Sequence, residues 1–254
     1  MPGGLLLDLS GVLYIEDQTI DGAVDSLRRL QQSGLSIRYV TNTTRSPRSR
    51  IHQQLTTLGF NLGIDELFTA PMAAHAYLVK HSLYPYMLIH PDLMVEFKDL
   101  RKNDDEHNAV LIGDADQDFT YNNMNTAFRK LMQGMPLISM GKNRYFKQQD
   151  GLSIDAGAFV TALEYASGTC AIVTGKPQPE FFLSAASSMG CEPHQVIMIG
   201  DDIESDINGA SETGMQAILV KTGKYRRGDE NKFTQPSSSR CLTDINAATD
   251  YILD

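Results

Sequence analysis

Several short apolar runs in this chain end alike, in a turn of Asp, Thr, Asn or Gly, and a helix-like pattern follows. LLLDL (5–9) runs into Ser10-Gly11. Val24, Leu27 and Leu30 then recur at helical spacing, and Gly34 supplies a stop signal. SIRYVT (36–41) reads as the next strand and ends in Asn42-Thr43-Thr44; SPRSRIHQQLTTLGF opens on a Ser-Pro helix start and closes near Gly59. Strand–turn–helix units repeated in this way specify a parallel sheet, because parallel neighbours need a crossover and a helix is the usual one. In such sheets ligands bind beyond the carboxyl ends of the strands. The turns are therefore the first place to look for chemistry.

The pattern returns late in the chain. CAIVTGKP (170–177) reads as strand and turn, PEFFLSAASSMG as a helix opened by Pro179 and followed by Gly190. QVIMIGDD (195–202) reads as a buried strand ending in acid, DINGASETG as a short helix, MQAILVKTG (215–223) as another strand, and QPSSSR (235–240) as a polar loop. Between them YMLIHP, NAVLIGD and PLISM read as strands, with NNMNTAFRKLMQG and AGAFVTALEYASG as helices. The expected architecture is α/β: a Rossmann-like parallel-sheet core from 1–77 and 169–254, with an α/β module inserted at 78–168, both boundaries placed to about ±8 residues. AVLIGDADQD (109–118) and VIMIGDDIESD (196–206) are alike, each a strand running into acids, and either could be a metal loop. The wider context favours the second.

Composition narrows the function. The 254 residues carry a formal net charge of -9, which argues against a nucleic-acid partner, since such binders need a basic face. An acidic protein can still hold phosphate, because backbone N–H groups and metal ions supply local positive potential. No apolar run nears the ~18 residues of a membrane span, and the N-terminus lacks the basic flank of a signal peptide. The three cysteines, Cys170, Cys191 and Cys241, are widely spaced with no CxxC, as expected for a reducing cytoplasm.

Each strand-end residue has two readings. Asp8 could attack phosphorus to form an aspartyl phosphate, or simply end a turn. Gly11 permits a tight turn that aims backbone N–H groups at a phosphate. Thr41 and Asn42 could hydrogen-bond the oxygens of a transferring phosphoryl group, or cap the strand. Lys176, between Gly175 and Pro177, could neutralise charge shared by nucleophile and phosphate, or be solvated. Asp201, Asp202 and Asp206 suit a hard cation such as Mg²⁺, or cap a helix N-terminus.

Their order is more informative than any one of them. Asp8-x-x-Gly11, Thr41-Asn42, Gly175-Lys176-Pro177 and Gly200-Asp201-Asp202-x-x-x-Asp206 together resemble the motif series of the haloacid dehalogenase-like phosphatase superfamily. The insertion resembles the α/β cap of its subclass IIA, through FTYNNMNTAF (119–128), DGLSIDAGAFVTALEYASG (150–168) and GKPQPEFF (175–182). LLLDLSGVLY and the GLSIDAGAFVTALEYASG stretch are most similar to the phospholysine phosphohistidine inorganic pyrophosphate phosphatases and their hydrolase-domain relatives.

The resemblance implies a Mg²⁺-dependent phosphatase. Asp8 would be nucleophile and metal ligand, with the Ser10 carbonyl and Asp201 as further ligands. Asp202 would bind the metal directly or through water, and Asp206 would orient the loop or pair with Lys176. Thr41, Asn42 and Lys176 would hold the phosphoryl group. The cap would select the leaving group of a small phosphorylated substrate or phosphoamino acid, and caps of this subclass also build homodimers. One position departs from the superfamily pattern. The usual first motif is Asp-x-Asp, whose second Asp serves as general acid and base; here that residue is Ser10, whose hydroxyl is a poor proton shuttle near neutral pH. The expected preference is therefore for P–N, pyrophosphate or aryl phosphate bonds. The competing reading is a catalytically weak phospho-ligand binding protein, although a binder has no need of Asp8.

Overall fold

The computed structural model describes residues 2–100, 107–148 and 151–254. Its ten sheet strands are β1 (Gly4–Asp8), β2 (Ser36–Thr41), β3 (Leu67–Thr69), β4 (Pro85–Leu88), β5 (Ala109–Ile112), β6 (Leu137–Ser139), β7 (Ile172–Val173), β8 (Val196–Gly200), β9 (Gln216–Val220) and β10 (Ser239–Leu242). They form two sheets, ordered β10-β9-β8-β1-β2-β3 and β7-β6-β5-β4. Two short hairpins, Tyr14–Ile15 with Gln18–Thr19 and Tyr145–Gln148 with Gly151–Ile154, stand apart from them.

The chain divides into two units. The first takes residues up to Thr41, Arg48–Phe68 and Lys176–Asp254; the second takes Asn42–Pro47 and Thr69–Gly175. In the first unit β1 lies between β2 and β8, parallel to both, and β9 and β10 continue the sheet in parallel. Leaving out the second unit's strands, this is the doubly-wound order 3-2-1-4-5-6, in which strand order reverses between β1 and β8. The crevice beyond the carboxyl ends of strands at such a reversal is where these sheets bind ligands. Asp8 is the last residue of β1 and Asp201 directly follows β8. Every residue of both strands is buried, as expected for strands covered on both faces. Leu5, Leu7, Ile37, Tyr39, Ile197, Ile199 and Ile218 pack on one face, with Leu27 and Leu30 of the helix Ala23–Gln32 over them.

The second unit carries its own parallel sheet, paired β4 to β5, β5 to β6 and β6 to β7. Period-two alternation along β5 feeds two cores: Ala109 and Leu111 join one with Ala74, Phe97 and Ile138, while Val110 and Ile112 join another with Ala127, Val160 and Leu163. This unit runs over Thr69–Gly175 with Asn42–Pro47 added, against the 78–168 expected with edges to about ±8 residues. The helix Ala70–Lys80 belongs to it because Ala70, Ala74 and Leu78 pack into its core. The late run CAIVTGKP divides: its residues up to Gly175 belong to this unit, since β7 is only two residues long and pairs with β6, while Lys176 and Pro177 belong to the first. QPSSSR is not wholly a loop, because Ser239 and Arg240 open edge strand β10. The helices expected at the two cap segments form at Tyr121–Met132, capped by the Thr120 hydroxyl, and at Ala156–Ser167, capped by Asp155. Among the described residues no helix is long and apolar enough to cross a membrane.

Candidate active site

The structure brings four of the residues singled out above into one buried cluster. Lys176 is the centre. Its Nζ lies 2.6 Å from Oδ1 of Asp8 and 2.6 Å from Oδ1 of Asp206. Lys176 is 3% exposed, Asp206 1%, Asp201 2% and Asp8 7%. Carboxylate oxygens of Asp8, Asp201 and Asp206 all lie within 4.8 Å of one another. The positions follow from the sheet. Asp8 pairs in register with Val40 of β2, and Leu7 with Ile199 of β8, so the acids that end β1 and follow β8 are neighbours.

The remaining contacts divide the labour. Asp206 accepts from Lys176 on Oδ1 and from the backbone N–H of Asp202 on Oδ2, at 3.2 Å. Its carboxylate is thus committed to the lysine and the loop. Asp202 caps the turn Ile203–Asn208, accepting the N–H groups of Glu204 and Ser205 at 3.1 and 3.0 Å. Helix capping therefore describes Asp202, whereas Asp201 faces the cluster. Burial would raise the Asp202 carboxyl, but Lys224 and the Ser205 hydrogen bonds outweigh it and hold it low. Thr41 ends β2 and is buried, one residue past the partner of Asp8. Asn42 follows it in the chain, is grouped with the second unit and is half-buried there. Ser10 is exposed and its backbone bridges to Tyr14. Gly11 has φ 93°, a conformation that favours glycine, and its N–H donates to the Tyr14 carbonyl at 2.7 Å.

The charge balance of the cluster is unequal. Three buried carboxylates face one buried ammonium. Burial would depress Lys176, yet Asp206 and Asp8 outweigh it and hold the ammonium protonated above its ordinary range. Burial first, then the charges of Asp8 and Asp206, push the Asp201 carboxyl up to about 8, and the Lys224 hydrogen bond and charge do not offset them. Burial also lifts Asp206 to about 6, against the pull of Lys176. Like charges crowded in a dry site are costly unless a cation or a proton intervenes. Oδ1 of Asp8 accepts from the Lys176 ammonium and Oδ2 of Asp201 from the Lys224 N–H. A hard divalent cation with oxygen ligands fits both the charge deficit and this donor set.

One contributor was not foreseen from sequence. The backbone N–H of Lys224, in the loop after β9, donates to Oδ2 of Asp201 at 2.6 Å, and its Nζ lies 3.3 Å from Oδ2 of Asp202. The available signal was position: Thr222-Gly223 ends a core strand just as Thr41-Asn42 and Gly200-Asp201 do.

Residues 5–101 match the family model described as haloacid dehalogenase-like hydrolase, and residues 173–249 match a HAD-hydrolase-like model. The chain is 44% identical over 249 residues to haloacid dehalogenase-like hydrolase domain-containing protein 2 of Homo sapiens, covering 98% of this chain and 95% of that one. It is 44% identical over 257 residues to the phospholysine phosphohistidine inorganic pyrophosphate phosphatase of Xenopus laevis, covering 98% and 94%. The fold resembles that of a 4-nitrophenylphosphatase from Thermotoga maritima, with a TM-score of 0.90, 20% identity, and coverage of 98% of this chain and 97% of that one.

Proposed function

The chain belongs to the haloacid dehalogenase-like hydrolases, and from that premise we propose that it is a Mg²⁺-assisted phosphatase whose nucleophile is Asp8. The observation that carries this reading is Lys176, held at 2.6 Å from both Asp8 and Asp206 beside a third buried carboxylate. A buried ammonium shared between two acids suits a nucleophilic carboxylate, which must stay ionised and approach a phosphoryl group that is itself anionic.

In the first step an oxygen of Asp8 bonds to phosphorus as the bond to the leaving group breaks. Lys176 offsets the charge that Asp8 and the phosphoryl oxygens then share. Thr41 and Asn42 donate hydrogen bonds to those oxygens. In the second step water attacks the aspartyl phosphate, releasing phosphate and restoring Asp8. Asp8, Asp201 and the Ser10 carbonyl would hold Mg²⁺, with Asp202 within reach through water. When bound, the ion supplies positive charge to the phosphoryl oxygens and matches the excess of carboxylate. Asp206 keeps Lys176 in place.

Ser10 sets the substrate class. Expelling an alkoxide needs a proton from a positioned acid, and a serine hydroxyl is a weak one. A phosphoramidate carries its own proton on nitrogen, and pyrophosphate or an aryl oxide leaves as a weaker base. The substrates that suit the site are therefore small P–N, P–O–P and aryl phosphates, phosphoamino acids among them. This agrees with the name of the Xenopus laevis relative. Asp8→Asn should abolish hydrolysis of p-nitrophenyl phosphate while leaving the thermal transition in place. Turnover by Asp8→Asn at a rate near wild type would remove the assignment. For the substrate class, the ratio of kcat/KM for imidodiphosphate to that for a sugar phosphate decides: a wild-type preference for the sugar phosphate would mean that another group supplies the proton.

A further inference from the structure

The loop after β9 reaches the acid cluster through its backbone as well as through the Lys224 ammonium at the edge. Three contacts meet there. The Lys224 N–H donates to Oδ2 of Asp201 at 2.6 Å. The Thr222 hydroxyl donates to the carbonyl of Gly11, tying this loop to the one after β1. Gly223 has φ 58°, and a Cβ built on it would lie 2.0 Å from Oδ2 of Asp201 and 2.5 Å from the Cα of Gly11. A Cβ on Gly11 would lie 2.0 Å from the same oxygen. The Asp201 carboxylate is thus held between two glycines from two loops, with no space for a side chain at either.

This geometry constrains one torsion that matters. A carboxylate on a free rotor presents either oxygen, in many directions. Here Oδ2 is occupied by a backbone donor and confined by the two glycines, which leaves Oδ1 as the other oxygen of the carboxylate. We propose that Thr222, Gly223 and the Lys224 N–H are positioning elements that fix the orientation of Asp201, so that Oδ1 is the oxygen offered to the cation. The proposal rests on the reading of Asp201 as a metal ligand. Groups that orient a ligand without touching the metal commonly carry about 10- to 100-fold in metal affinity.

The test is calorimetric titration of the full chain with Mg²⁺, comparing wild type, Gly223→Ala, Thr222→Val and Thr222→Ser. Gly223→Ala and Thr222→Val should bind Mg²⁺ about 10- to 100-fold more weakly, while Thr222→Ser, which keeps the hydroxyl, stays within about threefold of wild type. At saturating Mg²⁺ the kcat of Thr222→Val should return toward wild type, because the loop orients a ligand and takes no part in bond breaking. If Gly223→Ala does not fold, the Thr222 pair decides alone. Mg²⁺ binding by Thr222→Val as tight as wild type, or a Thr222→Ser as weak as Thr222→Val, overturns the positioning role while leaving Asp201 as a ligand. A wild type that binds no Mg²⁺ overturns the metal reading itself.

Discussion

Two turns in this chain read almost the same and have different fates. Ile112-Gly113-Asp114 follows β5 in the second unit, and Ile199-Gly200-Asp201 follows β8 in the first. Both acids are buried, at 5% and 2% exposed. Asp114 meets a guanidinium: Arg45 Nε lies 3.0 Å from its Oδ2, while Arg45 also reaches Asp116 at 2.6 Å and lies over the Phe146 ring, 5.0 Å from its centroid. Asp201 meets a single backbone N–H and two further carboxylates. One turn is a neutralised anchor, and the other is short of positive charge. The strand-end sequence does not make that difference. Residues outside the strand-end tripeptide do: Arg45 in one case, and Asp8 from the other end of the chain with nearby Asp206 in the other.

Neutralising each acid in turn should separate the two turns most widely. Asp201→Asn should lower Mg²⁺ affinity by at least about 100-fold, since losing a ligand exceeds the usual cost of losing a ligand's partner. Asp114→Asn should leave Mg²⁺ affinity unchanged. Titration of both variants against wild type measures this, and equal losses would mean that the two turns are not functionally distinct.

The second effect is a pH dependence of stability. With its carboxyl raised to about 8, Asp201 holds its proton more tightly in the folded chain than in the unfolded one, where its ordinary value is 3.8. For a group raised in this way the stabilisation is fully present below the unfolded value and is lost as pH rises through the folded one. Metal-free protein should therefore lose stability between about pH 4 and pH 8, on the order of a few kcal/mol. Asp201→Asn should flatten that slope, and Mg²⁺ should offset it most at the alkaline end. Denaturant midpoints at several pH values, with and without Mg²⁺, decide the matter; a wild-type curve that rises from pH 5 to pH 8 without metal would contradict the charge imbalance.

How much of this was legible beforehand depended on the kind of signal. Asp8, Lys176, Asp201 and Asp206 are charged side chains at or a few residues past strand ends, so order and spacing pointed to them. The Thr222–Lys224 loop contributes a backbone N–H, a hydroxyl aimed at a carbonyl and the absence of a Cβ, none of which leaves a compositional mark. The fold shows the same division. β1, β2 and β8 have long apolar runs and were read from them. β7 has two residues and no periodicity, so its sheet could be assigned only from its partner β6. The helix Ala70–Lys80 is apolar on most sides and gives little amphipathic contrast, which is why it was not foreseen.

A third and smaller effect belongs to Arg45. Arg45→Met would leave Asp114 buried without its cation, which should destabilise the second unit by about 3 kcal/mol or somewhat less, because Arg45 is itself partly exposed. The double variant Arg45→Met with Asp114→Asn should recover much of the loss. Thermal denaturation of the three proteins checks it, and additive losses in the double variant would show that the pair is not what balances Asp114.

The smallest effect separates the two cations by exposure. Lys224 also faces an acid turn, at 3.3 Å from Asp202, but its side chain is 64% exposed where that of Arg45 is 30%. An ion pair open to water on one side is screened and seldom contributes more than about 1 kcal/mol. Burial would lower the Lys224 ammonium, yet Asp202 first, then Asp206, Asp8 and Asp201, hold it protonated. It therefore adds positive charge at the edge of the cluster, where it competes weakly with a bound cation. Lys224→Met keeps the backbone N–H on Asp201 and removes only that charge. Its thermal midpoint should move less than that of Arg45→Met, and its Mg²⁺ affinity should stay level or rise by about twofold at low salt, a gain that 0.5 M KCl should erase. A fall in Mg²⁺ affinity in Lys224→Met would mean that the ammonium, and not the backbone donor beside it, is what the loop contributes to Asp201.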